Sequence, residues 1–279
     1  MTTFSGHDGT RLHYRVLGEG EPLLVLAGGA MRDSAYLGDL GGLSAHRALH
    51  VLDLRGTGRS QPPADPTSYR VDRQVADVEA LRAHLGLDRV DVLAHSAGCS
   101  LATLYALRHP GRAGRLVLVT PSLRVFGDTV TEDHFREAAE ARGLGEEEWY
   151  PAAWAAVRTA AAGGAADPDD LAPFFHGRWD AAARAHEATR DAQSHPEAAT
   201  AYLDGGYEPA EVRAAVAELA SPALLVAGEY DPAPRPGAVR AAAALFRHAR
   251  TVVQPAAGHY PWLDDPGAFR RTVADFLAS

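Results

Sequence analysis

The feature that most constrains this chain is a series of short, continuous apolar runs. The runs are four to six residues long, rich in Val and Leu, and lack the clean alternation of a strand with one wet face. They lie at residues 12–17, 23–27, 50–54, 90–94, 116–120, 223–227 and 251–254. Such runs are typical of strands that are buried on both faces of a parallel sheet.

Amphipathic helical patterns separate several of these runs. Residues 71–85, 101–108 and 267–277 carry apolar side chains at spacings of three and four, as on one face of a helix. Alternation of buried strands with helices predicts an α/β fold built on a doubly wound, mostly parallel sheet. The first two runs have no helix between them. The turn-forming residues from Gly18 to Pro22 join them, and we predict an antiparallel hairpin there.

The strand pattern stops between residues 124 and 220. This segment is rich in Ala and interrupted by Gly and Pro, which predicts a set of helices. The predicted helices are 132–142, 146–162, 179–193 and 209–219. We interpret residues 1–123 as the first part of a core, 124–220 as a helical cap insertion, and 221–279 as the second part of the core. A separate helical domain is the alternative, but the core would then lack its last two strands.

A serine with a small residue two positions to either side follows the fourth apolar run. Residues 94–98 read Ala-His-Ser-Ala-Gly and match the nucleophile elbow small-x-Ser-x-small, with Ala94 in place of the usual glycine. A nucleophile on a sharp strand-to-helix turn sits in strained backbone, so the residues two positions to either side must be small to avoid collision. The alternative is that Ser96 merely caps the following helix.

Three further motifs occur in the order that one family of enzymes requires. Residues 53–60 match D-x-R-G-x-G-x-S, residues 228–231 match G-x-x-D, and residues 258–259 read Gly-His. On these motifs the chain resembles the α/β-hydrolase superfamily, in its serine-nucleophile branch. The resemblance implies a mostly parallel, eight-stranded sheet with helices on both faces and a helical cap insertion.

The resemblance also implies the roles of three site residues. Ser96 is the nucleophile, His259 is the general base, and Asp231 orients and stabilises the imidazole. Asp231 is alternatively a turn residue, with Glu229 as the second candidate for the acid. His259 is one of 13 histidines, so a structural role is its alternative. His95, next to the nucleophile, is expected to be structural.

Backbone amides are expected to form an oxyanion hole. The resemblance assigns one amide to Ala97 and the other to Gly29, in the loop after residues 23–27. Ala27 departs from the family pattern, which has a histidine there. We expect the neighbouring charged residues, Arg32 and Asp33, to lie on the surface.

Composition excludes several other chemistries. The chain has no lysine, so a Schiff-base lysine and a P-loop lysine are excluded. Its net charge of −9 disfavours nucleic acid and anionic membranes as partners. The single cysteine, Cys99, forms no internal disulfide, reads as a core residue, and favours a reducing, cytoplasmic location, since no secretory signal is visible. No cofactor and no metal site are predicted, and the oligomeric state stays open.

These features predict a serine hydrolase that acts on a small ester, lactone or amide. The elements around residues 54–63 and 258–262 are similar to those of prolyl-iminopeptidase-like enzymes, and esterases share most of them. The cap carboxylates Asp204 and Glu208 are candidates for binding a substrate ammonium group. Cap aromatic residues are candidates for the pocket wall, namely Phe126, Trp149, Trp154, Phe174, Phe175 and Trp179. The alternatives are an acyltransferase or cyclase with the same triad and a non-catalytic, ligand-binding member of the fold.

Overall fold

The structure is a computed structural model that describes residues 2–279 and gathers their strands into one eight-stranded sheet. The strands are β1 (Thr2–Ser5), β2 (Arg11–Leu17), β3 (Pro22–Leu26), β4 (Ala48–Asp53), β5 (Val90–His95), β6 (Ala113–Val119), β7 (Ala223–Gly228) and β8 (Ala249–Gln254). Their order across the sheet is β1-β2-β4-β3-β5-β6-β7-β8. Strand β2 is antiparallel to both neighbours, and β3 to β8 are parallel to one another. The predicted fold class is confirmed.

The predicted hairpin between the first two apolar runs is wrong. The antiparallel partner of β2 on one side is β1, which the sequence pattern did not indicate, and β4 lies between β2 and β3. Two strand spacings amount to about 10 Å, a distance that the few residues after Gly18 span. A side chain at Gly18 would meet the Ser44 carbonyl oxygen at 2.0 Å, so the chain leaves β2 against the segment that leads into β4.

Helices cover both faces of the sheet. They are α1 (Val71–His84), α2 (Gly98–Arg108), α3 (Glu132–Arg142), α4 (Tyr150–Ala161), α5 (Pro168–Leu171), α6 (Ala181–Glu187), α7 (Arg190–Gln193), α8 (Pro196–Leu203), α9 (Pro209–Val216), α10 (Pro236–Ala243), α11 (Pro261–Asp264) and α12 (Pro266–Ala278). Short 3₁₀ turns occupy Ser34–Leu37, Leu43–Ala45, Pro66–Tyr69, Arg124–Phe126 and Ala172–Phe175.

Alternating side chains of the strands feed two hydrophobic cores. In β3, Leu24 and Leu26 point into a core shared with α1, α2 and α10, whereas Leu23 and Val25 point into a core shared with α12. All four leucine and valine side chains are fully buried. Burial on both faces explains why the sequence shows continuous apolar runs rather than alternation.

The described elements between β6 and β7 are all helical, as predicted for residues 124–220. Helix α3 has its predicted bounds, while the predicted helix 179–193 is divided into α6 and α7. The sequence pattern predicted a break in the helices at Pro196, but this residue begins α8. Proline is favoured in the first turn of a helix because it has no N–H to leave unpaired there.

Among residues 2–279, no helix combines the length and the apolar character that crossing a bilayer requires.

A buried arginine ties the loop after β4 to α1. The Arg55 guanidinium is fully buried and donates through Nε and Nη2 to the two carboxylate oxygens of Asp77, each at 2.7 Å. Its Nη1 donates to Asp8 at 2.9 Å and to the Ser68 hydroxyl at 2.7 Å. Bidentate geometry of this kind fixes the orientation of both partners.

We expect Arg55→Leu to lower the free energy of unfolding by about 3–5 kcal/mol, because it leaves a buried carboxylate without its partner. Urea denaturation followed by circular dichroism measures the loss. The control is Arg136→Leu, whose ion pairs with Glu132 and Asp133 are half exposed on α3. That variant should unfold close to the wild-type midpoint. Equal destabilisation of both variants would contradict the conclusion that the buried contact between Arg55 and Asp77 stabilises the fold.

Candidate active site

Ser96 lies on a sharp turn between β5 and α2. Its φ angle is +51°, in the left-handed region that residues other than glycine rarely adopt. A side chain at Gly98 would meet the Ala27 carbonyl oxygen at 2.5 Å, and one at Gly28 would meet the His95 carbonyl oxygen at 2.4 Å. The turn therefore depends on the absence of side chains at both positions, and it presents Ser96 at the carboxyl edge of the parallel strands.

Asp231 and His259 follow the ends of the last two strands, β7 and β8. Asp231 is fully buried, and its Oδ2 lies 2.8 Å from His259 Nδ1, while its Oδ1 accepts from the Ala233 amide at 2.8 Å. This contact fixes the imidazole by one nitrogen and leaves Nε2 for another partner. The second candidate acid, Glu229, accepts from the Ala256 amide at 2.8 Å instead.

Ser96 and His259 line one cavity of about 340 Å³. Within residues 2–279, the Ser96 hydroxyl makes no hydrogen bond. Hydrogen bonds between catalytic groups are often long before a substrate binds. The remaining lining residues are Pro121, Ser122, Leu123, Arg124, Asp128, Thr129, Val130, His134, Phe175, Ala233, Pro234 and Ala238.

Most of this cavity wall was missed by the sequence analysis. Asp204 and Glu208 are exposed and do not line the cavity, and of the six cap aromatic residues only Phe175 does. Trp149, Trp154 and Phe174 instead pack in a separate cap cluster. Residues 121–124 follow the carboxyl end of β6, which is where ligands bind in open α/β sheets. That rule could have predicted residues 121–124 as part of the cavity wall. Nothing in the sequence predicted the same role for residues 128–134.

The two amides predicted for the oxyanion hole are free of partners within the described chain. Neither Gly29 N nor Ala97 N donates to an acceptor among residues 2–279. The amide of Gly28, by contrast, donates to the Tyr36 hydroxyl at 2.7 Å. Neither residue is among those that line the cavity, and their assignment as oxyanion donors stays a prediction.

Arg32, expected on the surface, is buried. Its guanidinium lies over the Tyr36 ring at 4.6 Å and donates to the Gln193 side chain at 2.9 Å. Backbone bonding joins the same segments, since Asp33 N donates to Gln193 O at 2.8 Å and Arg32 pairs with Ser194. The expectation failed because these partners come from α7, about 160 residues along the chain. Residues 190–194 are thereby fixed to the loop that carries Gly29.

Burial keeps two neighbours of the nucleophile uncharged. Desolvation lowers the pKa of His95 well below its ordinary value, and the nearby His259 lowers it further. Burial raises the pKa of the Cys99 thiol well above its ordinary value, so this side chain is an inert core group, as its position in α2 predicted. Neither His95 nor Cys99 is therefore a candidate for a charged group at this edge.

A buried polar cluster joins α6 to the loop of His259. His176 Nε2 lies 2.9 Å from Glu187 Oε1, His186 Nδ1 lies 3.6 Å from the same oxygen, and Arg190 approaches the other oxygen at 3.6 Å. Both histidine rings pack against the Tyr260 ring. Two histidines and a carboxylate are a possible metal-ligand set. Here both oxygens of Glu187 already have cationic or histidine partners, so the cluster reads as a structural anchor.

Comparison with known proteins identifies the fold family. The family model described as alpha/beta hydrolase fold matches residues 22–266. A proline iminopeptidase of Heyndrickxia coagulans is 36% identical over 106 residues, which is 38% of this chain and 37% of that protein. The aligned segment thus spans little more than a third of the length of this curated relative.

Solved structures agree over the whole chain. An esterase from Rhodococcus sp. ECU1013 superimposes with a TM-score of 0.76 at 24% identity, covering 100% of this chain and 98% of that one. The enol-lactonase from Burkholderia xenovorans LB400 superimposes with a TM-score of 0.70 at 25% identity, covering 100% of both chains. The same fold thus supports ester and lactone chemistry in these neighbours.

We expect Glu187→Gln to weaken the anchor in a pH-dependent way. Burial alone would raise the pKa of the Glu187 carboxyl, but contacts with His176 and His186 hold it well below its ordinary value. The ionised carboxylate stabilises the folded state at any pH above its pKa in the unfolded chain, which is about 4.3. This contribution is lost as the pH falls through the lower pKa of the folded state.

The difference in free energy of unfolding between wild type and Glu187→Gln should therefore narrow as the pH is lowered from about 5 to 3. Urea titrations across this range measure it. Glu218→Gln, at an exposed position of the helical segment, is the matched control and should show no such narrowing. A pH-independent difference for Glu187→Gln would refute the interpretation.

Proposed function

Because the chain belongs to the α/β-hydrolase fold family, we propose that it is a serine hydrolase that forms an acyl-enzyme on Ser96. The observation that carries this proposal is the 2.8 Å contact of Asp231 with His259 Nδ1, beside the strained turn of Ser96 on the same cavity. The contact holds the imidazole by Nδ1 and leaves Nε2 free to act as a general base.

The proposed reaction has four proton transfers at His259, two in acylation and two in deacylation. Nε2 removes the proton of the Ser96 hydroxyl as its oxygen attacks the substrate carbonyl, and then returns that proton to the leaving group. The buried carboxylate of Asp231 stabilises the imidazolium formed in between. A water molecule, deprotonated by the same imidazole, attacks the acyl carbonyl. The imidazolium then returns this proton to Ser96 Oγ as the bond between Oγ and the acyl group breaks and the acid product leaves. The free amides of Gly29 and Ala97 stabilise the negative oxygen of each tetrahedral intermediate.

A small ester or lactone is the substrate that the cavity supports best. A volume of about 340 Å³ is at the lower end of the range for ligand pockets. Apolar side chains such as Leu123, Val130 and Phe175 form part of its wall and suit a short acyl group. The hydroxyls of Ser122 and Thr129 lie in the same wall and suit an ester or lactone oxygen.

An aminopeptidase is the second candidate. It is favoured by the similarity to a proline iminopeptidase and by one carboxylate in the wall, Asp128. That carboxylate accepts from the Thr129 amide at 2.8 Å and retains an oxygen for a substrate ammonium group. The two carboxylates expected for this purpose, Asp204 and Glu208, do not line the cavity.

We expect Ser96→Ala and His259→Ala each to lower kcat by a factor on the order of 10³–10⁶, and the double variant to lose no more than either single variant. The reason is that the two groups act as one unit. Hydrolysis of p-nitrophenyl acetate measures kcat, and a fluorophosphonate probe measures the reactivity of the serine. Probe labelling should disappear in Ser96→Ala.

Two variants control for the loss of a similar side chain. Ser100→Ala removes a buried hydroxyl one turn further along α2, and His248→Ala removes an exposed imidazole. Both should retain wild-type kcat. Full activity in Ser96→Ala or His259→Ala would overturn the proposed nucleophile or base, and an unlabelled, inactive wild type would support a non-catalytic, ligand-binding protein.

A panel of p-nitrophenyl esters, lactones, and proline and alanine arylamides separates the two candidates. We expect short-chain esters and lactones to give the highest kcat/KM, and Asp128→Asn to leave it nearly unchanged, because neither substrate has an ammonium group to pair. Preference for the arylamides, lost in Asp128→Asn, would reverse the ranking. Product analysis in the presence of alcohols distinguishes hydrolysis from acyl transfer.

A further inference from the structure

A chain of buried hydrogen bonds connects the three loops of the candidate site. The Gly28 amide donates to the Tyr36 hydroxyl at 2.7 Å, and this hydroxyl lies 2.7 Å from His95 Nδ1. His95 Nε2 in turn lies 3.0 Å from the carbonyl oxygen of His259. Gly28 precedes the predicted oxyanion donor Gly29, and His95 precedes Ser96.

The donors and acceptors of this chain have only one consistent assignment. The His259 carbonyl can only accept, so the proton of the neutral His95 ring is on Nε2. His95 Nδ1 is then an acceptor, so the Tyr36 hydroxyl donates to it while its oxygen accepts from the Gly28 N–H. Burial supports this assignment, because it raises the pKa of Tyr36 and lowers that of His95, so that both stay uncharged.

The residues of the chain are themselves firmly held. Tyr36 belongs to the turn Ser34–Leu37, which Asp33 caps by accepting from the Ala35 amide at 2.8 Å. Arg15 donates to the Ser34 carbonyl at 2.9 Å and so links the turn to β2. At the other end, the His259 carbonyl also accepts from the Thr120 hydroxyl at 2.9 Å.

Two sets of polar contacts hold the loop of residues 27–33, here called the oxyanion loop. Gly28 binds the Tyr36 hydroxyl near its start, and Arg32 and Asp33 bind residues 190–194 at its end. Ala27 has no polar side chain, and Ala30 and Met31 adopt positive φ angles of +34° and +69°. The contacts of Arg32 and Asp33 join the loop to the helical segment. The bond at the Gly28 amide is the polar contact that links the loop, through Tyr36, to His95 at the end of β5.

We propose that Tyr36 and His95 are positioning residues that hold the oxyanion loop and the His259 loop in register with Ser96. This inference rests on the proposed serine-hydrolase function of the same site. Neither side chain lines the cavity, so each acts through the backbone of Gly28 or His259 rather than on the substrate.

The decisive variant is Tyr36→Phe, which removes one oxygen and keeps the ring. It leaves the Gly28 amide and His95 Nδ1 buried without partners, and small displacements of catalytic groups cost about 100-fold in rate. We expect kcat for p-nitrophenyl acetate to fall by about 10- to 100-fold while KM changes by less than about twofold, because oxyanion donors act in the transition state. Fluorophosphonate labelling should slow by a similar factor.

The matched control is Tyr105→Phe. The Tyr105 hydroxyl is also buried and donates to Glu79 at 3.0 Å, on α2 away from the cavity. Both variants should lower Tm, but only Tyr36→Phe should lower kcat. Imidazole ¹⁵N NMR provides a second readout. His95 should carry its proton on Nε2 in both proteins, whereas its Nδ1 resonance should shift in Tyr36→Phe because Nδ1 loses the hydroxyl that donates to it.

If Tyr36→Phe does not fold, His95→Gln and His95→Leu provide the same test. Glutamine retains a donor and an acceptor and should keep more kcat than leucine at equal folded concentration. Wild-type kcat in Tyr36→Phe, or equal kcat in the two His95 variants, would overturn the positioning role. An inactive, unlabelled wild type would instead overturn the proposed function, so the two failures are distinguishable.

Discussion

The conformation of Ser96 is the constraint on which the rest of this edge depends. A positive φ at a residue with a side chain is unfavourable, and it persists only where the surroundings enforce it. Here two neighbouring parallel strands enforce it, because Gly28 and Gly98 let the ends of β3 and β5 approach closely. The same approach brings the loop after β3 within reach of the turn, so the strain and the free amides have one origin.

Buried polar bonding then converts a strained turn into a defined site. Asp231, His95 and Tyr36 are all buried, and each has its hydrogen-bonding capacity met by a loop at the carboxyl edge of the sheet. Unmet polar groups at such depth are costly, so these contacts specify one arrangement of the loops. The hydrophobic cores hold the strands together, and the polar contacts set the positions of the loops between them.

The sequence predicted whatever follows from local pattern. Continuous apolar runs indicated the parallel strands, and the motifs around Ser96, Asp231 and His259 each follow such a run, so their position at one edge was foreseeable. Other features depend on packing between distant segments. Arg32 finds its partners in α7, Tyr36 reaches His95 across the sheet edge, and β4 inserts between β2 and β3. These contacts join residues that are far apart in the chain, so no local sequence pattern predicts them.

Because Arg32 is bonded to α7, two parts of the helical segment should differ in how well they tolerate substitution. Residues 190–194 are bonded to the loop that carries Gly29, so mutations there would displace the proposed oxyanion donor, which the proposed reaction uses with every substrate. Residues 128–130 line the cavity but lie in an irregular, largely exposed stretch, with Val130 51% exposed. New substrate preferences are therefore most accessible to natural variation, and to mutant libraries, in that stretch.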